Sequence, residues 1–194
     1  MNLKEKEKKL KEISQKISSC RRCPLYKTAT YAVPGEGNLE AEIMFIGEAP
    51  GFFEDKKGRP FVGQAGKLLD SLLQLIKAER KDVWIGNLLK HRPPGNRDPK
   101  PEEIEACSIW IDKQIEILNP KIIVALGRFS TAKFIPFGKI SRIHGQKFKI
   151  EFKGRKIDLF PMYHPAAGLR NREILNRLKE DFKKLGEFLL INNH

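Results

Sequence analysis

The sequence predicts an α/β fold built on a mainly parallel sheet. Three short apolar runs, each of the length of a buried strand, lie at residues 42–46, 83–85 and 122–127. Near-continuous apolar runs are typical of strands covered on both faces, as in parallel sheets. Helical patterns at 65–77 and 101–118 separate these runs. Because strand and helix alternate along the chain, a parallel strand arrangement is favoured.

The remaining elements complete this pattern in chain order. The charged first segment, to about Ser19, carries apolar residues at helical spacing and predicts a helix. The helix at 101–118 begins with proline followed by two glutamates, which suits a helix N-terminus. Segments 147–152 and 155–160 predict a hairpin-like pair. A last helix is expected over about 172–190.

Length and charge narrow the function classes. The chain has 194 residues, which suits a single domain over 1–194 that includes an N-terminal helix and cysteine loop of about 1–30. With 37 Lys and Arg against 24 Asp and Glu, its net charge is +13, as expected of nucleic-acid binders. A thermophile-like surface rich in Lys and Glu is the alternative explanation. No apolar run has bilayer length and the first residues are too charged for a signal peptide, so we expect a cytoplasmic, nucleoid-associated protein.

Polar residues follow the predicted strands at one edge of the sheet. In open α/β sheets, ligands bind outside the carboxyl ends of the strands. Glu48, Asn87, Asn96 and His164 all follow strand ends, so we expect one crevice to collect them. Taken singly, Asn96 could complete a turn and His164 could be an ordinary buried histidine. Their convergence on a basic protein favours a functional site.

The glycine-rich stretch GRPFVGQAGK does not form a nucleotide-binding motif. A P-loop needs Ser or Thr after its lysine and glycine at its first position. Here Leu68 follows Lys67, and Phe61 occupies the first glycine position. GEAPG after the first strand also lacks the dinucleotide-binding pattern, so neither class of site is predicted.

Three cysteines and one histidine suggest a metal centre. Cys20 and Cys23 form a C-x-x-C pair after the first helix, Cys107 lies in the helix at 101–118, and His91 follows the second strand. Three thiolates and an imidazole suit either a tetrahedral zinc ion or an iron–sulfur cluster. A redox pair is less suitable, because thioredoxin-like pairs lie between a strand and a helix.

Three long blocks of the sequence stand out as specific motifs: in chain order, they are GEAPGFFEDKKGRPFVGQAGKLLD, NLLKHRPPGNRDPKPEEIEAC and YHPAAGLRN. Together they resemble the family 4 uracil-DNA glycosylases. The resemblance implies a three-layer α/β/α fold with a central four-stranded, mainly parallel sheet. It also implies a structural 4Fe-4S cluster and monofunctional excision of uracil from single- and double-stranded DNA, which leaves an abasic site.

The resemblance also implies roles for individual residues in uracil recognition. Phe61 would stack on the flipped uracil, and the Asn87 amide would pair with its Watson–Crick edge. Glu54 would occupy the space that a thymine methyl group needs. Further contacts to the base would come from the backbone of Ala49 and Gly51.

The catalytic and DNA-binding roles follow from the same resemblance. Glu48 or Asn96 would position the attacking water, and His164 would donate to uracil O2 as negative charge gathers on the leaving base. Leu169 would fill the gap that the flipped base leaves. The phosphate contacts are assigned to arginines: Arg92, Arg97, Arg170 and Arg172.

His91 stands where the common family pattern has a cysteine. We therefore expect a cluster held by Cys20, Cys23, His91 and Cys107. A sister subgroup that traps uracil-DNA covalently also has histidine there, but its first motif is GEQPG and it carries an inserted basic loop. This chain has neither feature, so ordinary turnover is expected, and His144 is expected to be a loop residue rather than a nucleophile.

The alternative function is a non-catalytic nucleic-acid-binding metalloprotein with a zinc ion on the same four residues. A brown protein would support iron–sulfur, whereas a colourless protein with stoichiometric zinc would support the alternative. A monomer is expected. No motif for recruitment by a sliding clamp is visible in the sequence.

Overall fold

A computed structural model describes residues 1–192 of the chain. Its strands are β1 (Glu36–Gly37), β2 (Ile43–Gly47), β3 (Trp84–Asn87), β4 (Ile122–Leu126), β5 (Phe148–Phe152) and β6 (Arg155–Met162). Its helices are α1 (Leu3–Ser18), α2 (Phe52–Lys57), α3 (Gln64–Leu75), α4 (Pro101–Leu118), α5 (Arg128–Phe134), α6 (Ile140–Ile143), α7 (Pro165–Arg170) and α8 (Arg172–Asn192). The predicted domain of 1–194 extends to two residues, 193 and 194, that lie outside the described ones.

The strands form one sheet in the order β1-β3-β2-β4-β6-β5. The four central strands are parallel, whereas β1 and β5 are antiparallel to their neighbours. The expected four-stranded sheet is therefore a six-stranded one, and only its parallel centre matches the prediction. β1 has just two residues, too few for a sequence pattern, and β5 is the first arm of the predicted hairpin, whose second arm, β6, joins the parallel centre.

Alternate residues of the central strands face two separate cores. Met44 and Ile46 of β2 belong to the core that includes residues of α1 and α4. Ile43 and Phe45 belong to the core that includes residues of α3 and α8. Phe45 stacks on Phe182 with ring centroids 5.9 Å apart, and burial of such a side chain stabilises the fold by roughly 1.5–3 kcal/mol. The predicted three-layer α/β/α architecture is confirmed.

Helix α4 shows how local sequence sets the bounds of an element. Pro101 occupies its first turn together with Glu102 and Glu103, and Asn119 ends it in the left-handed conformation with φ 57°. These residues suit a helix N-terminus and a C-cap respectively. The predicted bounds, 101–118, are the observed ones.

The described part of the chain contains no helix with the length and apolar character needed to cross a membrane.

Candidate active site

A cleft of about 490 Å³ lies at the carboxyl edge of the parallel strands. It is lined by the loops and short helices that follow β2, β3, β4 and β6. The cleft brings together ten of the sequence-predicted residues: Glu48, Ala49, Gly51, Glu54, Phe61, Asn87, Asn96, Arg97, His164 and Arg170. Arg92, Leu169 and Arg172 do not line it.

Asn87 presents an unused hydrogen-bonding group to this cleft. It is the last residue of β3 and is 2% exposed, yet its Oδ1 atom has no hydrogen-bond partner in the described structure. Gly47 of the neighbouring strand makes the room, because a Cβ atom there would lie 2.3 Å from Oδ1 and 2.6 Å from the Phe61 ring. Of the buried polar side-chain atoms without a partner in the described structure, this one belongs to a residue that lines the cleft, so it suits a ligand-binding position.

Phe61 forms one wall of the cleft beside His164. The two rings are stacked at 24° with centroids 5.5 Å apart. Phe61 has φ 51°, an unfavourable value for an aromatic residue. Arg80 holds this turn by donating to the carbonyls of Phe61 and Pro60 at 2.9 and 2.6 Å. Gly66 is required below it, because a Cβ atom there would lie 1.7 Å from the Phe61 carbonyl oxygen.

His164 is a neutral hydrogen-bond donor in this setting. Its Nδ1 atom accepts from the Ala166 N–H at 3.1 Å, which caps α7. Burial lowers the pKa of His164 to about 4, so the imidazole is uncharged at neutral pH. Since Nδ1 accepts, the single ring proton lies on Nε2 and is available to a ligand.

Among the acidic residues that line the cleft, Glu48 has the most strongly shifted pKa. Its pKa is raised to about 7, mainly by burial and also by the nearby Asp98 carboxylate, against the opposing effect of Arg128. The group therefore changes charge near neutral pH. A carboxyl with such a pKa is suited to proton transfer, as is typical of functional sites.

Glu54 connects the two loops that surround Phe61. Its carboxylate accepts from the backbone N–H groups of Gly51, Val62 and Gly63 at 3.1, 2.8 and 2.9 Å. Three backbone donors fix the carboxylate at the wall of the cleft. Its predicted exclusion of a thymine methyl group stays a prediction.

Comparison with known proteins identifies the family. The profile of the uracil DNA glycosylase superfamily matches residues 34–189. The chain belongs to the uracil-DNA glycosylase superfamily. It is 50% identical over 184 residues to the type-4 uracil-DNA glycosylase of Archaeoglobus fulgidus, with 92% of each chain covered.

Two further type-4 uracil-DNA glycosylases are similarly related to it. The protein of Sulfurisphaera tokodaii is 49% identical over 93% of this chain and 85% of its own length. That of Thermotoga maritima is 43% identical over 95% of this chain and 96% of its own length.

The loop between β3 and α4 uses its arginines internally in this uracil-DNA glycosylase superfamily member. Arg97 donates to both carboxylate oxygens of the buried Glu103 at 2.9 and 2.6 Å. Arg92 donates to Asn96 Oδ1 at 2.6 Å and lies 5.2 Å from the centroid of the Phe52 ring. Their predicted phosphate contacts stay predictions. In the structure, each of these arginines makes a contact within the protein that helps to position the loop.

Three residues at the cleft were not predicted as site residues. Arg128 pairs with Asp98 across two loops, and Tyr163 lies directly before His164. Tyr163 packs on His144, whose Nδ1 atom lies 2.8 Å from Asp181 Oδ2. Arg128, Asp98 and Tyr163 follow strand ends, as Glu48 does. The same sequence signal could therefore have identified them.

Leu169, the residue predicted to fill the gap left by the flipped base, does not line the cleft, but its neighbour Arg170 does. Leu169 belongs to α7 and is 51% exposed, which is high for a leucine. Arg170, next to it, lines the cleft and is exposed. Arg172 is exposed at the start of α8.

The three cysteines lie in or against one hydrophobic core. Cys20 and Cys23 pack against the core that contains Cys107, and all three are free thiols. Trp110 Nε1–H donates to Cys20 Sγ, and the Lys90 backbone N–H donates to Cys107 Sγ, both at 3.3 Å. Among residues 1–192, no three His, Cys, Asp or Glu side chains are grouped as for a single metal ion.

Proposed function

We propose that this protein is a uracil-DNA glycosylase that flips uracil out of DNA and hydrolyses its N-glycosidic bond, leaving an abasic site. The unpartnered amide oxygen of Asn87 in the cleft carries this proposal. The family membership and the type-4 glycosylase relatives support it.

Asn87 would select uracil by its hydrogen-bonding pattern. Uracil offers a donor at N3 and an acceptor at O4, and an amide can accept from the first while donating to the second. Cytosine reverses both groups, so it would leave buried polar atoms unpaired, which is strongly unfavourable. Phe61 would stack on the base. The fixed Glu54 carboxylate would exclude the methyl group of thymine, with Ala49 and Gly51 completing the base contacts.

The reaction breaks the bond between C1′ and uracil N1. The bonding electrons go to the base, and the Nε2–H of His164 would donate to O2, where the negative charge collects. Glu48 or Asn96 would position the water that attacks C1′, and an ionised Glu48 could accept its proton. Negative charge nearby also favours the oxocarbenium-like sugar.

The DNA contacts are proposed on the exposed residues near the cleft. Leu169 would occupy the gap left by the flipped base, and Arg170 and Arg172 would contact phosphates. The chain would act as a monomer on the DNA of the nucleoid. Its charge of +13 supports a polyanionic substrate.

Cys20, Cys23, His91 and Cys107 would hold a 4Fe-4S cluster. Two observations fit: the thiols converge in one region, and backbone or indole N–H groups donate to two of their sulfurs. When bound, the cluster would supply a structural cross-link between the N-terminal segment and α4.

An excision assay tests the proposed function. A uracil-containing oligonucleotide treated with the protein and then with alkali should be cleaved at uracil, whereas oligonucleotides with cytosine or thymine there should stay intact. Asn87→Ala should lower the rate at least about 100-fold, because it removes the preorganised contacts to the base. Asn38→Ala, outside the cleft, is the matched control and should keep the wild-type rate. An intact uracil oligonucleotide after wild-type treatment would contradict the proposal.

A further inference from the structure

We infer that the turn between α5 and α6, residues 135–138, is a second DNA contact in which Phe137 stacks on a base that flanks the flipped nucleotide. This inference rests on the proposed function, because it extends the same binding surface. The turn is not part of the cleft itself. Nothing in the resemblance or in the proposed chemistry gives it a role.

Phe137 is the most exposed large apolar residue described in this protein. It is 98% exposed and has no ring or cation contact in the described structure. By contrast, the exposed ring of Phe52 lies 5.2 Å from the Arg92 guanidinium and 6.0 Å from Lys56 Nζ. A phenylalanine held entirely in water forgoes the favourable burial that its ring would gain against another surface.

The backbone holds Phe137 at the apex of a tight turn. The Gly138 N–H donates to the Ile135 carbonyl at 2.9 Å, which closes a four-residue turn with Pro136 at its second position. Proline is favoured there because its φ is fixed in advance. A Cβ atom at residue 138 would lie 2.6 Å from Ile143 Cδ1 and 2.8 Å from Ile135 Cγ2, so a larger residue would require these side chains to move. The hydrogen bond and the proline restrict the backbone that carries the ring, which lowers the entropy cost of stacking.

The charge of the surrounding sequence selects nucleic acid as the partner. Between Glu116 and Glu151 the chain has seven Lys and Arg residues and no Asp or Glu. Four of the seven pair with carboxylates outside this segment: Lys121, Arg128, Lys133 and Lys149. Lys139 and Arg142, which follow the turn, are exposed and form no ion pair in the described chain. An exposed aromatic ring beside two unpaired cations suits single-stranded nucleic acid, where rings stack on bases and cations contact phosphates.

The turn also lies at the border of the cleft. Ile140, two residues after Gly138, lines the cleft, as does Arg128 at the start of α5. A strand whose uracil enters the cleft would therefore pass close to Phe137. Stacking on a neighbouring base would partly compensate for the stacking lost when the uracil is flipped.

Tryptophan fluorescence provides a direct test of stacking. The chain has 2 tryptophans, Trp84 and Trp110, which are only 5% and 7% exposed. In Phe137→Trp the new indole would be the one exposed tryptophan of the described chain. Its emission should be quenched by a single-stranded oligonucleotide carrying 2′-fluoro-2′-deoxyuridine, whose electronegative substituent slows base loss. Replacing the flanking bases by base-free spacers, with all phosphates kept, should abolish the quenching.

Kinetics provide the second test. Phe137→Ala should raise KM for a uracil oligonucleotide roughly tenfold, in line with the stacking of one base on an aromatic ring, with little change in kcat. For the substrate with base-free flanks, Phe137→Ala and wild type should have equal KM. Leu190→Ala, which removes an exposed apolar side chain near the end of α8, is the matched control and should leave KM unchanged.

The possible failures are distinguishable. Unchanged KM in Phe137→Ala together with unquenched Phe137→Trp would overturn the inference, while uracil excision by wild type would leave the proposed function intact. Emission of Phe137→Trp that depends on protein concentration rather than on DNA would also overturn it, by assigning the ring to self-association. Absence of excision by wild type would contradict the proposed function independently of both measurements.

Discussion

At the scale of single residues, the cleft contains groups that folding alone does not satisfy. A buried amide oxygen without a partner, as at Asn87, costs about 1–3 kcal/mol relative to a paired one. The positive φ of Phe61 adds strain to the opposite wall. A bound base that pairs with the amide and stacks on the ring would recover part of this free energy. Binding is thereby coupled to recognition of one hydrogen-bonding pattern.

The pKa of Glu48 leads to a prediction about pH dependence. With a pKa of about 7, the carboxyl is protonated at lower pH and ionised at higher pH. If ionised Glu48 accepts the proton of the attacking water, the single-turnover rate should rise with pH and level off above 7. His164, with a pKa of about 4, stays neutral across this range and adds no second transition.

Asp98→Asn is the variant that tests this assignment. Asp98 raises the pKa of Glu48 and also pairs with Arg128, which lowers it. Removing the carboxylate should therefore shift the rise in rate to lower pH, and Glu48→Gln should remove the rise. A rate profile that is the same in wild type and Glu48→Gln would assign the water to Asn96 instead.

At the scale of elements, long patterns were predictable and short ones were not. The bounds of α4 follow from proline, acidic residues and an apolar period over five turns. Helices α2, α5, α6 and α7 have four to seven residues, too few for a period to be visible. They form through tertiary contacts, yet they carry much of the cleft wall. The convergence of Glu48 and His164 was predictable because strand ends meet at one edge.

The ion pair between Arg97 and Glu103 was not predictable, because the sequence does not reveal which carboxylate a basic loop residue contacts. A basic loop residue near a DNA site suggests a phosphate contact. In the structure, however, the Arg97 guanidinium forms an ion pair with Glu103, whose side chain is 3% exposed. The hydrogen bond from Arg97 is the main reason that the pKa of Glu103 is lowered. The pair connects the β3–α4 loop to the first turn of α4 and so holds Asn96 at the cleft.

A comparison of two arginine variants separates anchoring of this loop from DNA contact. Arg97→Ala should lower the melting temperature, because the buried Glu103 carboxylate loses its charged partner and keeps only the Lys100 backbone N–H, and should leave the salt dependence of DNA binding unchanged. Arg170→Ala should keep the melting temperature and reduce the slope of log K against log salt concentration by about one. A smaller salt slope in Arg97→Ala at an unchanged melting temperature would instead support the phosphate contact predicted from the sequence.

At the scale of the whole molecule, the N-terminal segment and the glycosylase sheet are connected mainly on one face. Leu10, Ile13 and Ile17 of α1 pack in the same core as Trp110 and other residues of α4. Lys6 Nζ adds hydrogen bonds to the carbonyls of Leu39 and Leu118. Of the proposed cluster ligands, Cys20 and Cys23 follow the end of α1, Cys107 lies in α4, and His91 lies in the β3–α4 loop.

Cluster removal should therefore loosen α1 before the sheet. Protein purified without oxygen should be brown and contain about four iron and four sulfide per chain, the composition of a 4Fe-4S cluster. Cys107→Ser should lose iron and show faster amide exchange in α1 and at residues 20–27, while β2 and β4 keep their protection.

His91→Cys should keep the iron at a lower reduction potential, since imidazole ligands raise the potential relative to thiolate. His144→Ala, which removes a histidine outside the ligand set, is the control and should stay brown. A colourless protein with one zinc per chain would contradict the cluster. It would support the alternative, in which the same four residues bind a single tetrahedral zinc ion.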